Sequence, residues 1–179
     1  MGGTSSEKEI SLRSGEAVLE SLQRQGYDAY GVVLDENNQV TAFLENDYDL
    51  AYLVLHGGNG ENGKIQAVLD ILGKKYTGSG VLASALTMDK NKTKQIAENI
   101  GIRVPKSYRD LDSIERFPVI IKPVDEGSSK GLFLCNNKEE AGEALKKLRK
   151  PIIEDYIVGE ELTVGVLNGK ALGVLKIIP

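Results

Sequence analysis

Apolar positions along the first half of the chain alternate between two rhythms. Residues 16–26, EAVLESLQRQG, put Ala17, Val18, Ser21 and Leu22 on one helical face and end at a glycine suited to a C-terminal cap. YDAYGVVL and AYLVLHG are apolar runs of strand length, and KIQAVLDILG returns to helical spacing through Ile65, Val68, Leu69 and Leu72. Helices alternating with such runs predict an α/β unit built on a parallel sheet. Its opening is unusual: GGTSSEKEIS reads as a loop and helix start, with Ser6 and Glu9 spaced as a capping box, but no strand precedes it. The expectation is a unit whose first strand is missing.

Beyond YTGSGVLASALTMDKNK the order changes. A helix is predicted over Asp89–Gly101, with Pro105 as an exit signal, followed by a strand FPVIIKP, a glycine-rich turn DEGSSKG and a strand LFLC. A helix from about Lys138 to Arg149 and three strand-like runs, PIIEDYI, ELTVGVL and ALGVLKII, complete the chain. This order predicts an α+β unit with an antiparallel sheet and helices on one face. The division expected is 1–87 and 88–179.

Composition narrows the class. The 179 residues are 41% hydrophobic and 27% charged, as in ordinary soluble globular proteins, and no apolar run approaches the ~20 residues that span a bilayer. Met1 is followed by polar GGTSSEKE rather than a basic segment and apolar core, so no secretory signal is read and a cytoplasmic location is expected. One cysteine and one histidine argue against a disulfide and a Cys/His metal site; Cys135, in LFLC, reads as a buried small hydrophobe. The net charge of -4 argues against a general nucleic-acid binder. It is unevenly spread: residues 1–88 carry 6 Lys and Arg against 12 Asp and Glu, and the remainder 16 against 14, so a polyanionic ligand is expected in the second half.

Lys122 is the most informative single residue. It interrupts the apolar strand PVIIKP, where an unpaired buried ammonium is costly, and therefore calls for an anion or carboxylate. Gly127, Ser128, Ser129 and Gly131 follow within a few residues; glycine turns aim N–H groups at phosphate oxygens and serine hydroxyls add donors. The alternative is a plain hairpin loop with its lysine in solvent. The segment is not a Walker A loop, because the lysine precedes the glycines. Lys90 is a second cation that can reach the same anion, or else a solvated helix lysine.

In IIEDYIVGEE, Glu154 and Asp155 end an apolar run and Glu160 and Glu161 follow Gly159. Such an edge can bond a purine through its backbone and a ribose through a carboxylate, while surface acids at a strand end are the plainer account. In the first half, Glu7, His56 and Glu61 sit on loops that converge if they leave the same edge of a parallel sheet. Acids there suit an amine, and a histidine beside glycine N–H groups suits a carboxylate; local capping and local bonding are the alternatives. Gly58, Gly60 and Gly63 also spell G-x-G-x-x-G, but KKYTGSG supplies no acid ~20 residues on, so a dinucleotide turn is a poor second.

Taken together and in order, GGTSSEKEISLRSG, LHGGNGENG, YTGSGVLASALTMDK, IIKPVDEGSSKG and IIEDYIVGEE resemble the D-alanine:D-alanine ligase family of the ATP-grasp superfamily, over essentially the whole chain. The resemblance implies a Rossmann-like preATP-grasp parallel-sheet domain followed by a central α+β ATP-grasp subdomain. It implies ATP-dependent ligation of two D-alanines through an acyl phosphate, for peptidoglycan precursors, with ATP and magnesium required and a homodimer formed through the N-terminal domain.

By the same resemblance, Glu7 would bind the ammonium of the first D-alanine, with Ile10 near its methyl and His56 next to its carboxylate; Glu61 is expected among the substrate-binding residues. Ser128 would link to Glu7. Lys90 and Lys122 would meet the ATP phosphates under a loop containing Glu126, Gly127, Ser128, Ser129 and Gly131. Glu154, Asp155, Tyr156 and Ile157 would line the adenine, and Glu161 the ribose. The family pattern also has a first strand and a C-terminal domain that this sequence does not show; the magnesium ligands are expected in that domain and none is assigned here. A doubly truncated ligase is therefore expected, inactive alone. The competing account is a catalytically inactive ATP-grasp piece that at most binds nucleotide.

Overall fold

The computed structural model describes residues 1–178. In chain order it contains α1 (Lys8–Arg24), α2 (Thr41–Glu45), β1 (Leu50–Ala51), α3 (Gly58–Glu61), α4 (Lys64–Ile71), β2 (Lys75–Tyr76) and α5 (Val81–Met88). There follow α6 (Lys90–Asn99), β3 (Ser107–Tyr108), a 3₁₀ turn at Leu111–Ser113, β4 (Val119–Pro123), β5 (Phe133–Cys135), α7 (Lys138–Lys146), β6 (Pro151–Asp155), β7 (Glu161–Leu167) and β8 (Lys170–Ile177).

β1 and β2 pair in parallel, Leu50 with Lys75 and Ala51 with Tyr76, as the alternating pattern predicts. They cover a cluster in which Leu34, Phe43, Ile65 and Leu69 are buried, with Ile65 and Leu69 one turn apart on α4. The expected strand YDAYGVVL is realised only as a bridge: Leu34 pairs in parallel with Gly2, donating to the Met1 carbonyl at 2.9 Å and accepting from the Gly3 N–H at 2.7 Å. Tyr27, Tyr30 and Val33 remain exposed. A strand needs a hydrogen-bonded neighbour along its length, and the described residues give this segment a neighbour only at its end.

α1 begins at Lys8, within the segment read as a helix start, and runs on to Arg24, but the Ser6–Glu9 capping box does not form. Glu7 takes the cap position without a side-chain cap bond, and its N–H is accepted by the Ser5 hydroxyl at 3.1 Å. Ser11, fully buried on α1, ties the helix inward by accepting from the Gly2 N–H at 2.8 Å and donating to the Val54 carbonyl at 2.6 Å. Both loops that leave this sheet are thereby held beside the N-terminal end of α1.

The second sheet is antiparallel in the order β3-β6-β4-β5. Alternation along its strands separates two faces. Val119, Ile121, Cys135 and Ile153 pack with Tyr108 against Ala141 and Ala144 of α7, and Cys135 is the buried small hydrophobe expected. Ile120, Lys122, Ile152 and Glu154 therefore belong to the opposite face, where the register places Ile120 beside Glu154 and Lys122 beside Ile152. α6 starts at Asp89, whose side chain accepts from the Lys92 N–H at 3.1 Å.

The final two strands do not join this sheet. β7 and β8 form their own hairpin around Asn168 and Gly169, both at positive φ as a tight two-residue turn requires. Every residue of both strands is exposed. The single antiparallel sheet expected for the second half is thus two sheets. No helix among the described residues is long and apolar enough to cross a membrane.

Candidate active site

The site grows from two loops that come from opposite ends of the chain. Ser128 donates to the Glu7 carboxylate, and Lys130 donates to the Ser6 carbonyl. Glu7 itself is buried. The glycine-rich turn after β4 therefore closes over the N-terminus of α1, and the sequence-predicted Glu7–Ser128 pair is brought together. Ser128 and Ser129 hold φ values of 52° and 55°, a left-handed conformation that costs a non-glycine residue about 1 kcal/mol each. Gly131 continues the turn at φ 68°, where a Cβ would lie 3.0 Å from Pro123 and 3.1 Å from Leu148. The turn is thus bent for a purpose other than local backbone comfort.

The histidine loop packs against the same carboxylate. Gly57 has φ 63°, and a Cβ there would stand 2.7 Å from Glu7 Oε2, so only glycine lets the loop approach. The Ser5 hydroxyl donates to the His56 carbonyl at 2.5 Å. The His56 Nε2 is buried and has no hydrogen-bond partner among the described residues, while Nδ1 lies 4.0 Å from Glu61. An enclosed ring nitrogen left without a partner is costly and marks a place for a polar ligand atom. His56 lines a small pocket with Gly3, Thr4, Gln39, Asn59 and Gly60. Instead of a dinucleotide turn, Gly58–Glu61 forms the short helix α3. Ile10 lies half-exposed on the first turn of α1.

Four charged groups gather on the open face of the second sheet. Lys122 pairs with Glu154, whose side chain is only 6% exposed, and Lys94 pairs with the other oxygen of the same carboxylate at 3.1 Å. The Lys90 ammonium donates to the Glu126 carbonyl and lies 3.4 Å from the Val124 carbonyl, at the base of the glycine-rich turn. Burial, and next the nearby Lys122 charge, push the Lys90 ammonium below the usual lysine range. Three ammonium groups gather around Glu154 beside the turn, with Asp125 and Glu126 also acting on Lys90, and together they offer a polyphosphate several cations. This is where the sequence placed its anion.

Beyond Glu154 the chain runs out along an exposed apolar edge, Tyr156, Ile157 and Val158. Asp155 does not share the face of Glu154. Its side chain accepts from the Tyr108 hydroxyl at 2.7 Å and is paired with Arg116, on the side of the sheet that carries α7. These two partners, Arg116 first, hold its carboxyl below the usual aspartate value. Any contact of Asp155 with a ligand in the site would have to use backbone atoms, and its N–H is already given to the Lys106 carbonyl at 2.9 Å. Glu161 is exposed at the start of β7.

Lys94, Lys130 and Ser5 are participants that the sequence did not single out. Lys94 had a usable signal, its i, i+4 spacing from Lys90, which places both on one face of α6. Among the described residues no group of three or more His, Cys, Asp or Glu side chains is gathered as a metal ion would need.

Two family models match the chain: the D-Ala D-Ala ligase N-terminus over residues 38–79 and the D-Ala D-Ala ligase C-terminus over residues 93–179. A D-alanine–D-alanine ligase of Fusobacterium nucleatum is 87% identical over all 179 residues, and the chain spans 62% of its length. The crystal structure of a D-alanine–D-alanine ligase from Bacillus anthracis superposes with a TM-score of 0.88 at 34% identity, over 98% of this chain and 62% of that one. The same enzyme complexed with ATP superposes with a TM-score of 0.87 at 33% identity, over 100% of this chain and 64% of that one. The two family models, which between them match residues 38–79 and 93–179, and the 87% identical relative place this chain in the D-alanine–D-alanine ligase family.

Proposed function

We propose that residues 1–87 carry the amino-acid site, and residues 88–179 one wall of the ATP site, of a D-alanine:D-alanine ligase. The observation that carries this reading is the bond from Ser128 to Glu7, which joins the glycine-rich turn to a buried acid. Glu7 would accept from the ammonium of the first D-alanine, with the Ile10 side chain toward its methyl. The unpartnered His56 Nε2, positioned beside the loop that holds Glu61, would meet its carboxylate.

On this reading Lys90, Lys122 and the turn of Glu126, Gly127, Ser128, Ser129 and Gly131 neutralise and align the ATP phosphates. Tyr156 and Ile157 cover the adenine, Glu154 and the Asp155 backbone border it, and Glu161 faces the ribose. The first D-alanine's carboxylate then takes the γ-phosphoryl group while ADP leaves. The amine of a second D-alanine attacks the acyl carbon and displaces phosphate, making the new amide. Phosphoryl transfer asks mainly for charge neutralisation and alignment, and the residues present supply donors and cations for both. They offer magnesium no ligand set among the described residues. The same reading places the protein in the cytoplasm, working as a homodimer in precursor synthesis for the cell wall.

A second reading, in which this chain by itself binds nucleotide without ligating, is favoured by the β7–β8 hairpin. Its two strands are exposed along their whole length, so neither face of that hairpin is covered by the described residues. Both readings are tested by D-alanine-dependent ADP release from this chain and from a chimera. In the chimera these 179 residues replace the matched stretch of the Fusobacterium nucleatum relative. Release by the chimera supports the ligase reading; absence of release from a folded chimera that still binds ATP favours the second.

A further inference from the structure

Lys94 is the more enclosed of the two lysines paired with Glu154: its side chain is 13% exposed, against 24% for Lys122. It stands one turn after Lys90 on α6 and reaches across to the sheet, 3.1 Å from Glu154 Oε2 and 2.6 Å from the Ser107 hydroxyl at the start of β3. Lys122 holds the other oxygen, Oε1. A carboxylate as enclosed as Glu154 has lost most of its hydration and binds strongly to whatever cation remains beside it. If Lys122 were its only partner, any anion recruiting Lys122 would have to strip that partner away and leave a buried charge alone.

We propose, on the reading of this face as a nucleotide site, that Lys94 is a positioning residue. It keeps Glu154 neutralised and in place, so that Lys122 is free to move its ammonium from Glu154 to a phosphate or purine acceptor. Ser107 fixes Lys94 in turn, because the hydroxyl oxygen accepts one ammonium hydrogen and leaves the others for the carboxylate. The division of labour is asymmetric: Lys94 is anchored between α6, β3 and β6, whereas Lys122 lies next to Lys90 and is repelled by it. Of the two partners of Glu154, Lys122 is the one that gains most from a newly arrived anion.

The test is a double-mutant cycle read by calorimetric binding of ATP to the full 179-residue chain, with folding checked by circular dichroism and thermal melting. Lys94→Met should weaken ATP binding roughly tenfold when Glu154 is present, and less than about twofold in the Glu154→Gln background, where no buried charge competes for Lys122. Lys94→Arg should restore near-native affinity. A purely structural lysine would give the same loss in both backgrounds. That result, or no loss in either, overturns the role given to Lys94 while leaving the nucleotide reading intact. Lys122→Met separates the two: if the native chain binds ATP no better than Lys122→Met, the nucleotide reading fails and takes this role with it. Should Lys94→Met not fold, Lys94→Gln, which keeps a donor for Ser107 and drops the charge, replaces it in the same cycle.

Discussion

The Ser128 hydroxyl donates to the Glu7 carboxylate across 121 positions of sequence, closing the glycine-rich turn onto the head of α1. Neither residue belongs to either hydrophobic cluster, the one that contains Leu69 or the one that contains Ile121. Nothing in the local turn requires the contact, and two adjacent serines adopt left-handed backbone to make it. The site is therefore assembled by long-range closure, and its parts should fail together.

Removing the donor should show this. In the chimera, Ser128→Ala should lower D-alanine-dependent ADP release by roughly tenfold to a hundredfold, the worth of a hydrogen bond to a charged group. The apparent KM for D-alanine should rise with it, because Glu7 loses its orienting partner. Steady-state kinetics over both substrates checks this; an unchanged KM for D-alanine would detach Ser128 from the amino-acid site.

Gly57 is a second control on the same carboxylate. Gly57→Ala places a methyl 2.7 Å from Glu7 Oε2 and forces φ 63° on an alanine. The variant should melt earlier, by about 1 kcal/mol or more of lost stability, and should lose amino-acid binding more severely than it loses stability. Thermal melts paired with D-alanine titration would show it.

On the proposed reading, Lys90 should make ATP binding sensitive to pH. Burial and then the Lys122 charge lower its pKa, so between that lowered value and the ordinary one the unfolded chain holds more protons than the folded chain. The stability contribution of Lys90 therefore rises with pH across that window. A bound polyanion favours the ammonium and acts in the opposite sense, so binding should take up protons and weaken as pH climbs through the lowered pKa. Calorimetry in two buffers of different ionisation enthalpy should give different heats for the native chain. Lys90→Arg, which does not titrate in this range, should lose the part of that difference due to Lys90.

Asp155 should contribute to acid stability through the partners of its side chain. Arg116 and Tyr108 depress its pKa, so the stability it contributes is present above the unfolded value and is lost as pH falls through the folded one. Tyr108→Phe, which removes the 2.7 Å hydrogen bond, should cost about 1 kcal/mol at neutral pH and less in acid. Chemical denaturation at the two pH values is the check, and ATP affinity should stay near the native value.

Much of this was legible in the sequence, for identifiable reasons. Lys122 stood out because an ammonium in an apolar strand demands a partner, and the structure supplies Glu154. The last hairpin had a usable signal as well, Asn168-Gly169 between two apolar runs, that was not singled out. Other features depend on partners that no local pattern contains. YDAYGVVL has strand composition but pairs only at Leu34, because strand formation is decided by the neighbour. The side of the sheet taken by Asp155 follows from a one-residue alternation within β6, which the acidic pair Glu154-Asp155 conceals. Ser6 and Glu9 have capping-box spacing, yet Ser5 takes the helix start and ties it to His56, a residue 51 positions away.

The measurement that tests the account most directly is coupled ADP release from the chimera with ATP, magnesium and D-alanine, with Glu7→Gln and Lys122→Met alongside. The account predicts release that depends on D-alanine and falls at least about tenfold in each variant. Release that ignores D-alanine, or persists undiminished when Glu7 or Lys122 is replaced, would contradict it.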